Sequence, residues 1–362
     1  MKVTFPHMGN VYLAGEALFK GLGIEYVTPP FNSRLSLEIG SKYSPEEICL
    51  PFKIVLGNFI QSIKKGADTI ITTGSCGPCR YGEYCELQMN ILRKIGYDVN
   101  FIVVDYPKDI GMKEFIRRIS KVMSGNKSVH EKISAVRNAY KVINLADDIE
   151  SRAHYTAGIE KCKGQSKKIL YESKIDAEKC SSSEEMVKVL KSYKKKLNEI
   201  EINTDKKPIR IAIIGEIYTI IESFANMNIE DKLMDYGVSS KRFLTPSWWV
   251  KNALLSPIKM NSLNIKRASK HYLPYYVGGH AKECIGEAVL ASEDNFDGVI
   301  QIMPLGCMPE VAAEAILKKI SKDKNIPIMT LIMDEMTGEA GYITRIEAFI
   351  DLLERRRKGC II

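Results

Sequence analysis

Short β-rich runs alternate with helical patterns at both ends of this chain, and no other feature limits the fold as strongly. In the first 110 residues, β-rich runs at 3–6, 24–28, 69–73 and 101–105 are separated by helical patterns at 11–21, 50–65 and 83–94. Such alternation is typical of βαβ units built around a parallel sheet. We therefore predict an N-terminal α/β domain over residues 1–110.

The alternation stops near Gly111 and returns near Pro208. The segment between them has long helical patterns and no convincing strand, so we predict a helical insertion over residues 111–207. Further strands at 209–214, 238–244, 299–303 and 326–333, with helices at 221–236, 281–292, 310–320 and 345–357, indicate a second α/β domain over 208–362. The predicted fold is α/β, with two Rossmann- or flavodoxin-like parallel-sheet domains and a cleft between them where cofactors commonly bind.

Composition argues against two classes of protein. No apolar run approaches the roughly 20 residues that cross a bilayer, and the first residues predict a strand and a helix in place of a secretory leader, so we expect a cytoplasmic protein. The net charge is +8, but the lysines concentrate between Lys161 and Lys207 without the aromatics that stack on bases. We therefore expect neither a membrane span nor a nucleic-acid partner. Phosphate-binding glycine motifs are absent, so nucleotide hydrolysis by this chain is unsupported.

Nine cysteines are many for a cytoplasmic chain, where thiols are more often metal ligands or redox groups than structural disulfides. Cys76 and Cys79 form a Cys-Gly-Pro-Cys motif directly after a predicted strand. That spacing suits a thioredoxin-like dithiol, and it equally suits ligation of an iron–sulfur cluster by soft thiolates.

Two further cysteines favour the cluster. Cys49 lies at a predicted loop-to-helix junction and Cys307 follows a predicted strand of the second domain, and each has a proline nearby. A dithiol enzyme needs only one pair, whereas a cluster that bridges two domains needs thiolates from both. We predict Cys49, Cys76, Cys79 and Cys307 as ligands, although each of the two outlying thiols could instead be a small buried residue.

Cys85 and Cys284 are further candidate ligands. With them, six thiolates could hold two linked cubanes, three on each; a packed thiol is the alternative for Cys85. Cys162, Cys180 and Cys360 lie in the lysine-rich segment or at the end of the chain and are poor candidates.

Two other side chains are candidate catalytic residues. His280 follows a glycine-rich turn before a predicted helix, where it could act as an acid or a hydrogen-bond donor, although a lone histidine is often structural. Glu335 follows the last predicted strand and precedes the last helix. Helix N-termini receive hydroxyls and anions, but acidic residues there also simply cap helices.

Five blocks of the sequence together resemble the 2-hydroxyacyl-CoA dehydratase superfamily, in its activase-related, stand-alone branch, which is related to double-cubane cluster proteins. The blocks are MKVTFPHMGN at 1–10, CLPFK at 49–53, GSCGPCRYG at 74–82, GCMPE at 306–310 and DEMTGEAGYITRIEAF at 334–349. They touch both α/β halves and skip the helical segment, and together they are far more specific than one Cys-x-x-Cys motif.

The resemblance implies an iron–sulfur protein of anaerobes, with a [4Fe-4S] cluster or a double-cubane [8Fe-9S] cluster in the interdomain cleft. Its relatives receive low-potential electrons from an ATP-dependent activase that has its own [4Fe-4S] cluster. They then dehydrate a CoA thioester through a ketyl radical or reduce a small molecule. The same four cysteines fall inside the matching blocks. Four thiolates saturate a cubane and favour electron transfer without substrate chemistry, whereas three leave one iron open to substrate. A homodimer is a further expectation.

Overall fold

The computed structural model describes residues 1–74, 79–105, 110–255 and 262–359. Two parallel sheets organise this part of the chain. The first has the strand order β1-β2-β3, formed by β1 (Val3–Thr4), β2 (Thr69–Thr72) and β3 (Asn100–Val103). The second has the order β5-β4-β6-β7, formed by β4 (Arg210–Gly215), β5 (Ser239–Arg242), β6 (Gly298–Pro304) and β7 (Ile328–Met333). All the neighbouring strands are parallel, which confirms the predicted α/β fold with two parallel sheets.

The helices of the first half hold the loops at the carboxyl edge of its sheet. They are α1 (Val11–Leu22), α2 (Arg34–Tyr43), α3 (Leu50–Lys64) and α4 (Tyr84–Lys94), with a short 3-10 helix at Arg80–Glu83 before α4. Most of the buried side chains of α3 are apolar, and Phe52, Phe59 and Ile60 pack with Ile70 of β2. Burial of such side chains anchors the helix, so the loop at its N-terminus has a fixed position.

Four long helices follow: α5 (Met112–Val122), α6 (Val129–Thr156), α7 (Gln165–Glu178) and α8 (Ser183–Asn198). The start of α6 is fixed by a capping box, in which Ser128 and Glu131 exchange hydrogen bonds with each other's backbone amides. Leu13 and Ala17 of α1 share one hydrophobic core with Ile149 of α6. The helical segment therefore packs directly on the first half. The domain boundaries at 110 and 207 remain predictions.

The second sheet is covered on both faces. Its helices are α9 (Ile217–Ile221), α10 (Ile229–Asp235), α11 (Pro246–Leu255), α12 (Leu263–Ser269), α13 (Ala281–Glu293), α14 (Met308–Asp323) and α15 (Glu339–Arg357). One core packs α15 against β4, and a separate core packs α13 and α14 against the same strand. Within the described ranges, no helix combines the length and the apolar character that a membrane crossing requires.

Two predicted elements differ from the structure. Residues 24–28 do not form a strand; they lie beside β1 and make a single bridge, between Tyr26 and Val3. Because β1 has only two residues, it offers few groups for pairing. The predicted helix at 221–236 is divided between α9 and α10, since Met227 and Asn228 both have positive φ angles. The side-chain amide of Asn226 bridges the gap by donating to two carbonyl groups of α9.

Candidate functional site

Three of the predicted cysteines occupy the same local position, immediately before a helix. Cys49 is the N-cap of α3, Cys79 precedes the 3-10 helix, and Cys307 is the N-cap of α14. All three thiols are partly buried. The free N–H groups and partial positive charge of a helix N-terminus favour an anion such as a thiolate. Cys76 lies outside the described residues.

Arg80 links the loops that carry these three cysteines. It follows Cys79 directly, and its guanidinium donates hydrogen bonds to the carbonyl oxygen of Glu47 at 3.4 Å and to that of Gly306 at 3.2 Å. Glu47 lies two residues before Cys49, and Gly306 directly precedes Cys307. One side chain therefore fastens two loops of the first half to one loop of the second.

Tyr84 contacts the sulfur of Cys49. Its hydroxyl oxygen lies 2.6 Å from Cys49 Sγ, in a hydrogen bond in which either atom could be the donor. The ring of Tyr84 packs edge-on against Phe52 at a centroid distance of 4.9 Å. Because Tyr84 is buried and its ring is held by Phe52, the hydroxyl is directed at the sulfur.

All three thiols are held in the neutral form. Burial raises the pKa of Cys49 to about 11, and it also raises the pKa of Cys79 and, still further, that of Cys307. The negative charge of Glu216 adds to the rise at all three, and the charge of Cys79 adds to that of Cys307. These thiols therefore share one electrostatic environment. They would need a nearby positive charge, such as iron, to ionise at neutral pH.

Glu216 itself is fixed by the chain around it. It follows β4 and caps α9, where its carboxylate accepts hydrogen bonds from the amides of Tyr218 at 3.0 Å and Thr219 at 2.8 Å. A carboxylate at the carboxyl end of a parallel strand lies where ligands bind in open α/β sheets. Its negative charge lies close enough to thiols of both halves to raise their pKa values.

The two additional cysteine candidates have different surroundings. Cys284 on α13 is fully buried in the core, and burial, with the negative charge of Glu310, raises the pKa of its thiol well above the ordinary value. Burial also raises the pKa of Glu310, to about 7. Cys85 is partly buried on α4, and its Sγ lies 4.0 Å from the carbonyl oxygen of Gly82. Their assignment as ligands remains a prediction.

Among the residues that the structure describes, no three His, Cys, Asp or Glu side chains form a group that could hold a metal ion. A cubane cluster spaces its thiolates more widely than a single ion does, because each thiolate binds a different iron atom. The three described thiols lie at separate helix N-termini. The full ligand set stays a prediction, since Cys76 is not among the described residues.

His280 and Glu335 lie on different parts of this junction. His280 is the partly buried N-cap residue of α13, and a Cβ at the preceding Gly279 would lie 3.0 Å from Cγ of Pro309, two residues beyond Cys307. Glu335 is committed to an ion pair, with Oε1 at 2.6 Å from Nζ of the buried Lys53. That pair joins the two halves. Catalytic roles for His280 and Glu335 remain predictions.

Sequence reasoning did not single out Arg80, Tyr84, Glu216 or Lys53. Arg80 and Lys53 do fall inside two of the blocks that carry the family resemblance, so that signal could have identified them. Tyr84 and Glu216 lie outside the blocks. Nothing in the sequence indicates which sulfur a tyrosine five residues beyond Cys79 would reach.

Comparison with curated proteins gives no match for the chain. A family model described as 2-hydroxyglutaryl-CoA dehydratase, D-component, matches residues 13–353, which include most of both α/β halves and the whole helical segment. The match confirms the resemblance to the 2-hydroxyacyl-CoA dehydratase superfamily. This chain belongs to the 2-hydroxyglutaryl-CoA dehydratase D-component family.

Proposed function

We propose that the chain is a 2-hydroxyacyl-CoA dehydratase-like component that holds an iron–sulfur cluster on Cys49, Cys76, Cys79 and Cys307. The observation that carries this proposal is the Arg80 guanidinium, which joins the loops of three of these cysteines across the two α/β halves. A bridging cluster requires such convergence of loops from both halves.

The charges around the cysteines suit a bound cluster whose overall charge is negative. Thiolates bring several negative charges together, and the helix N-termini that follow Cys49 and Cys307 offset part of that charge. Arg80 opposes the rise in pKa of Cys49 and Cys79, as a neighbouring cation should. Burial excludes water from the sulfurs, and Tyr84 donates a hydrogen bond to Cys49 once that sulfur is ionised.

When bound, the cluster would accept a low-potential electron from an ATP-dependent activase and supply it for dehydration of a 2-hydroxyacyl-CoA thioester or for a related reduction. We propose that Glu216 and His280 are the titratable side chains that face a substrate. Both lie at the junction, near the carboxyl ends of strands or at a helix start.

The positions of Cys49 and Cys307 favour a cluster over a dithiol oxidoreductase built on Cys76 and Cys79. Such an enzyme needs one attacking thiol and one partner thiol. It has no use for thiols at two further helix N-termini, one of them in the second half, whereas a bridging cluster requires them.

The proposal is tested by measuring iron and acid-labile sulfide in protein purified without oxygen. We expect a brown protein with at least about four iron atoms per chain, and about eight if Cys85 and Cys284 complete a double cubane. Cys79→Ser and Cys307→Ser should each lose most of the iron and change the electron paramagnetic resonance spectrum. Cys162→Ser, which alters an exposed thiol in the helical segment, is the matched control and should retain both.

A colourless, iron-free wild-type protein, or iron binding that survives loss of both Cys79 and Cys307, would overturn the proposal. Addition of a 2-hydroxyacyl-CoA then separates two forms of it. A spectral change indicates an iron atom that is open to substrate, and an unchanged spectrum indicates electron transfer through a fully ligated cluster.

A further inference from the structure

The N-terminal half of α6 exposes a row of apolar side chains to solvent. Val129 is 74% exposed, Ile133 62%, Val136 47% and Tyr140 39%. With Met123, Lys132 and Arg137, these residues line an open groove of about 530 Å³, which we call the α6 groove. Contiguous exposed apolar surface of this kind commonly marks an interaction site.

The opposite face of α6 is already packed. Ala135, Asn138 and Val142 are buried, and a Cβ at Gly21 of α1 would lie only 2.7 Å from Cβ of Ala135. The groove is therefore a second apolar face on a helix whose first face fills the core. Of the groove residues, Met123 packs partly against that core, but Val129, Ile133, Val136 and Tyr140 do not, so packing within the described chain does not explain these four.

The apolar residues of the groove follow the spacing of a coiled-coil seam. Val129, Ile133, Val136 and Tyr140 are separated by four, three and four residues. That is the alternation of a and d positions in a heptad, with Ile133 and Tyr140 at a and Val129 and Val136 at d. Such a seam is complementary to one further helix laid along it.

The flanks of the seam carry positive charge. Lys132 occupies a g position and Arg137 the following e position, and both line the groove. Neither forms an ion pair with a carboxylate of the described residues. The nearest acidic side chain on the helix, Glu131, pairs with Lys127 and caps the helix start. Residues at e and g select the partner of a coiled coil by charge.

These charges argue against a second copy of the chain as the occupant. Parallel pairing of two α6 seams would place Lys132 opposite Arg137 of the other copy, which brings like charges together. In antiparallel pairing g faces g and e faces e, and the other g and e residues of the seam are Ala139 and His130, so neither cation would meet a carboxylate. A helix with acidic flanks would neutralise both cations.

We propose that the α6 groove binds an amphipathic helix of another protein, with apolar residues on its seam and acidic residues on its flanks. The juxtaposition of a heptad seam with unpaired Lys132 and Arg137 carries this assignment. It does not depend on the proposed cluster.

The test uses the full chain and two synthetic helical peptides of four heptads, each with Leu at a and d. One has Glu at every e and g position and the other has Lys. Fluorescence anisotropy should show that the wild-type protein binds the Glu peptide at least about tenfold more tightly than the Lys peptide. The double variant K132E/R137E should reverse the preference, and I133S/V136S should weaken binding of the Glu peptide by about tenfold or more.

The matched control is K188E/K191E, which makes the same change in net charge on the exposed face of α8 and should leave the preference unaltered. Circular dichroism establishes that each variant is folded. Failure to bind the Glu peptide, or a preference that K132E/R137E does not reverse, overturns the proposal. A wild-type dimer that I133S/V136S dissociates would identify a second copy as the occupant. Cosedimentation of the wild-type protein with anionic lipid vesicles, if only I133S/V136S abolishes it, would identify a membrane as the occupant. A dimer of this kind or membrane binding of this kind also overturns the proposal.

Discussion

Arg80 acts as a clamp at the scale of a single residue. Its two hydrogen bonds go to carbonyl groups that precede Cys49 and Cys307, so the side chain fixes distances between loops that are far apart in sequence. Arginine suits this position because its planar guanidinium carries several donors in a rigid arrangement, which a lysine lacks. The geometry of the cysteines therefore depends on a residue that need not touch a cluster.

Arg80→Gln should weaken cluster binding without unfolding the protein. Each hydrogen bond contributes about 1 kcal/mol, so loss of both should disfavour the assembled loops by roughly 2 kcal/mol. We expect a lower iron content after anaerobic reconstitution and faster loss of iron to a chelator. Arg80→Lys should rescue little, because one ammonium group cannot span both carbonyls.

The control is Arg93→Gln, which removes the same charge from an exposed arginine in the last turn of α4. It should keep the wild-type iron content. Equal iron loss in both variants would show that the effect comes from net charge, and unchanged iron in Arg80→Gln would show that the clamp is not needed.

The sequence was sufficient to place the cysteines at turns but not to show which turns meet. Cys49 and Cys307 precede helices as expected, because strand and helix patterns end clearly beside them. The reach of Arg80 and Tyr84 depends on tertiary packing between segments separated by up to 226 residues. No local propensity encodes that distance.

At the scale of elements, two glycines set the position of α3. Helices α2 and α3 cross so closely that a Cβ at Gly40 would lie 1.7 Å from the carbonyl oxygen of Lys53, and one at Gly57 would lie 1.8 Å from that of Ser36. Only glycine permits backbones to approach to this degree. Because Cys49 caps α3, the crossing also positions that thiol.

Gly40→Ala should therefore destabilise the protein, although alanine is the better helix former. Overpacking of this kind costs about 1–3 kcal/mol, and more where the clash is with backbone. We expect a lower free energy of unfolding in urea. The control, Gly341→Ala in α15, adds a Cβ that meets nothing within 4 Å and should be neutral or stabilising by up to about 1 kcal/mol. A neutral Gly40→Ala would contradict the close crossing.

The order of the elements was more predictable than their ends and their interruptions. Strong apolar runs made β4, β6 and α3 evident from the sequence. The break between α9 and α10 depends on the side-chain hydrogen bonds of Asn226, and the missing strand at 24–28 reflects the shortness of β1. Helix α2 was not predicted, since its contact with α3 relies on small residues in place of an apolar stripe.

At the scale of the whole molecule, a buried ionic network joins the helical segment to the second α/β half. Arg242 of β5 donates to Glu150 of α6 at 2.7 Å and also to Glu230 of α10. Glu150 pairs in addition with Lys174 of α7, and Glu230 with His154 of α6. Four elements therefore meet around one guanidinium that is almost fully buried.

Arg242→Met should be strongly destabilising, because it leaves two buried carboxylates with less compensating charge. Removing one partner of a buried ion pair typically costs about 3–5 kcal/mol. The measurement is the free energy of unfolding in urea at pH 7. Arg152→Met, which breaks an exposed ion pair with Asp148, is the matched control and should cost at most about 1 kcal/mol. Equal losses would show that the buried network contributes no more than a surface pair.

The network also predicts how stability depends on pH. Burial alone would raise the pKa of Glu150 and Glu230, but the cations around them overcome this and hold both pKa values below the ordinary range. A carboxyl group whose pKa is lowered by folding stabilises the protein above its unfolded pKa of about 4.3, and this contribution is lost as the pH falls further. Without Arg242, the pKa values of Glu150 and Glu230 rise toward or above their unfolded value. The acid unfolding midpoint of Arg242→Met should therefore move to higher pH, and by more than its lower stability at pH 7 alone would cause. Arg152→Met should move the midpoint much less, because Asp148 keeps Lys194 as a partner.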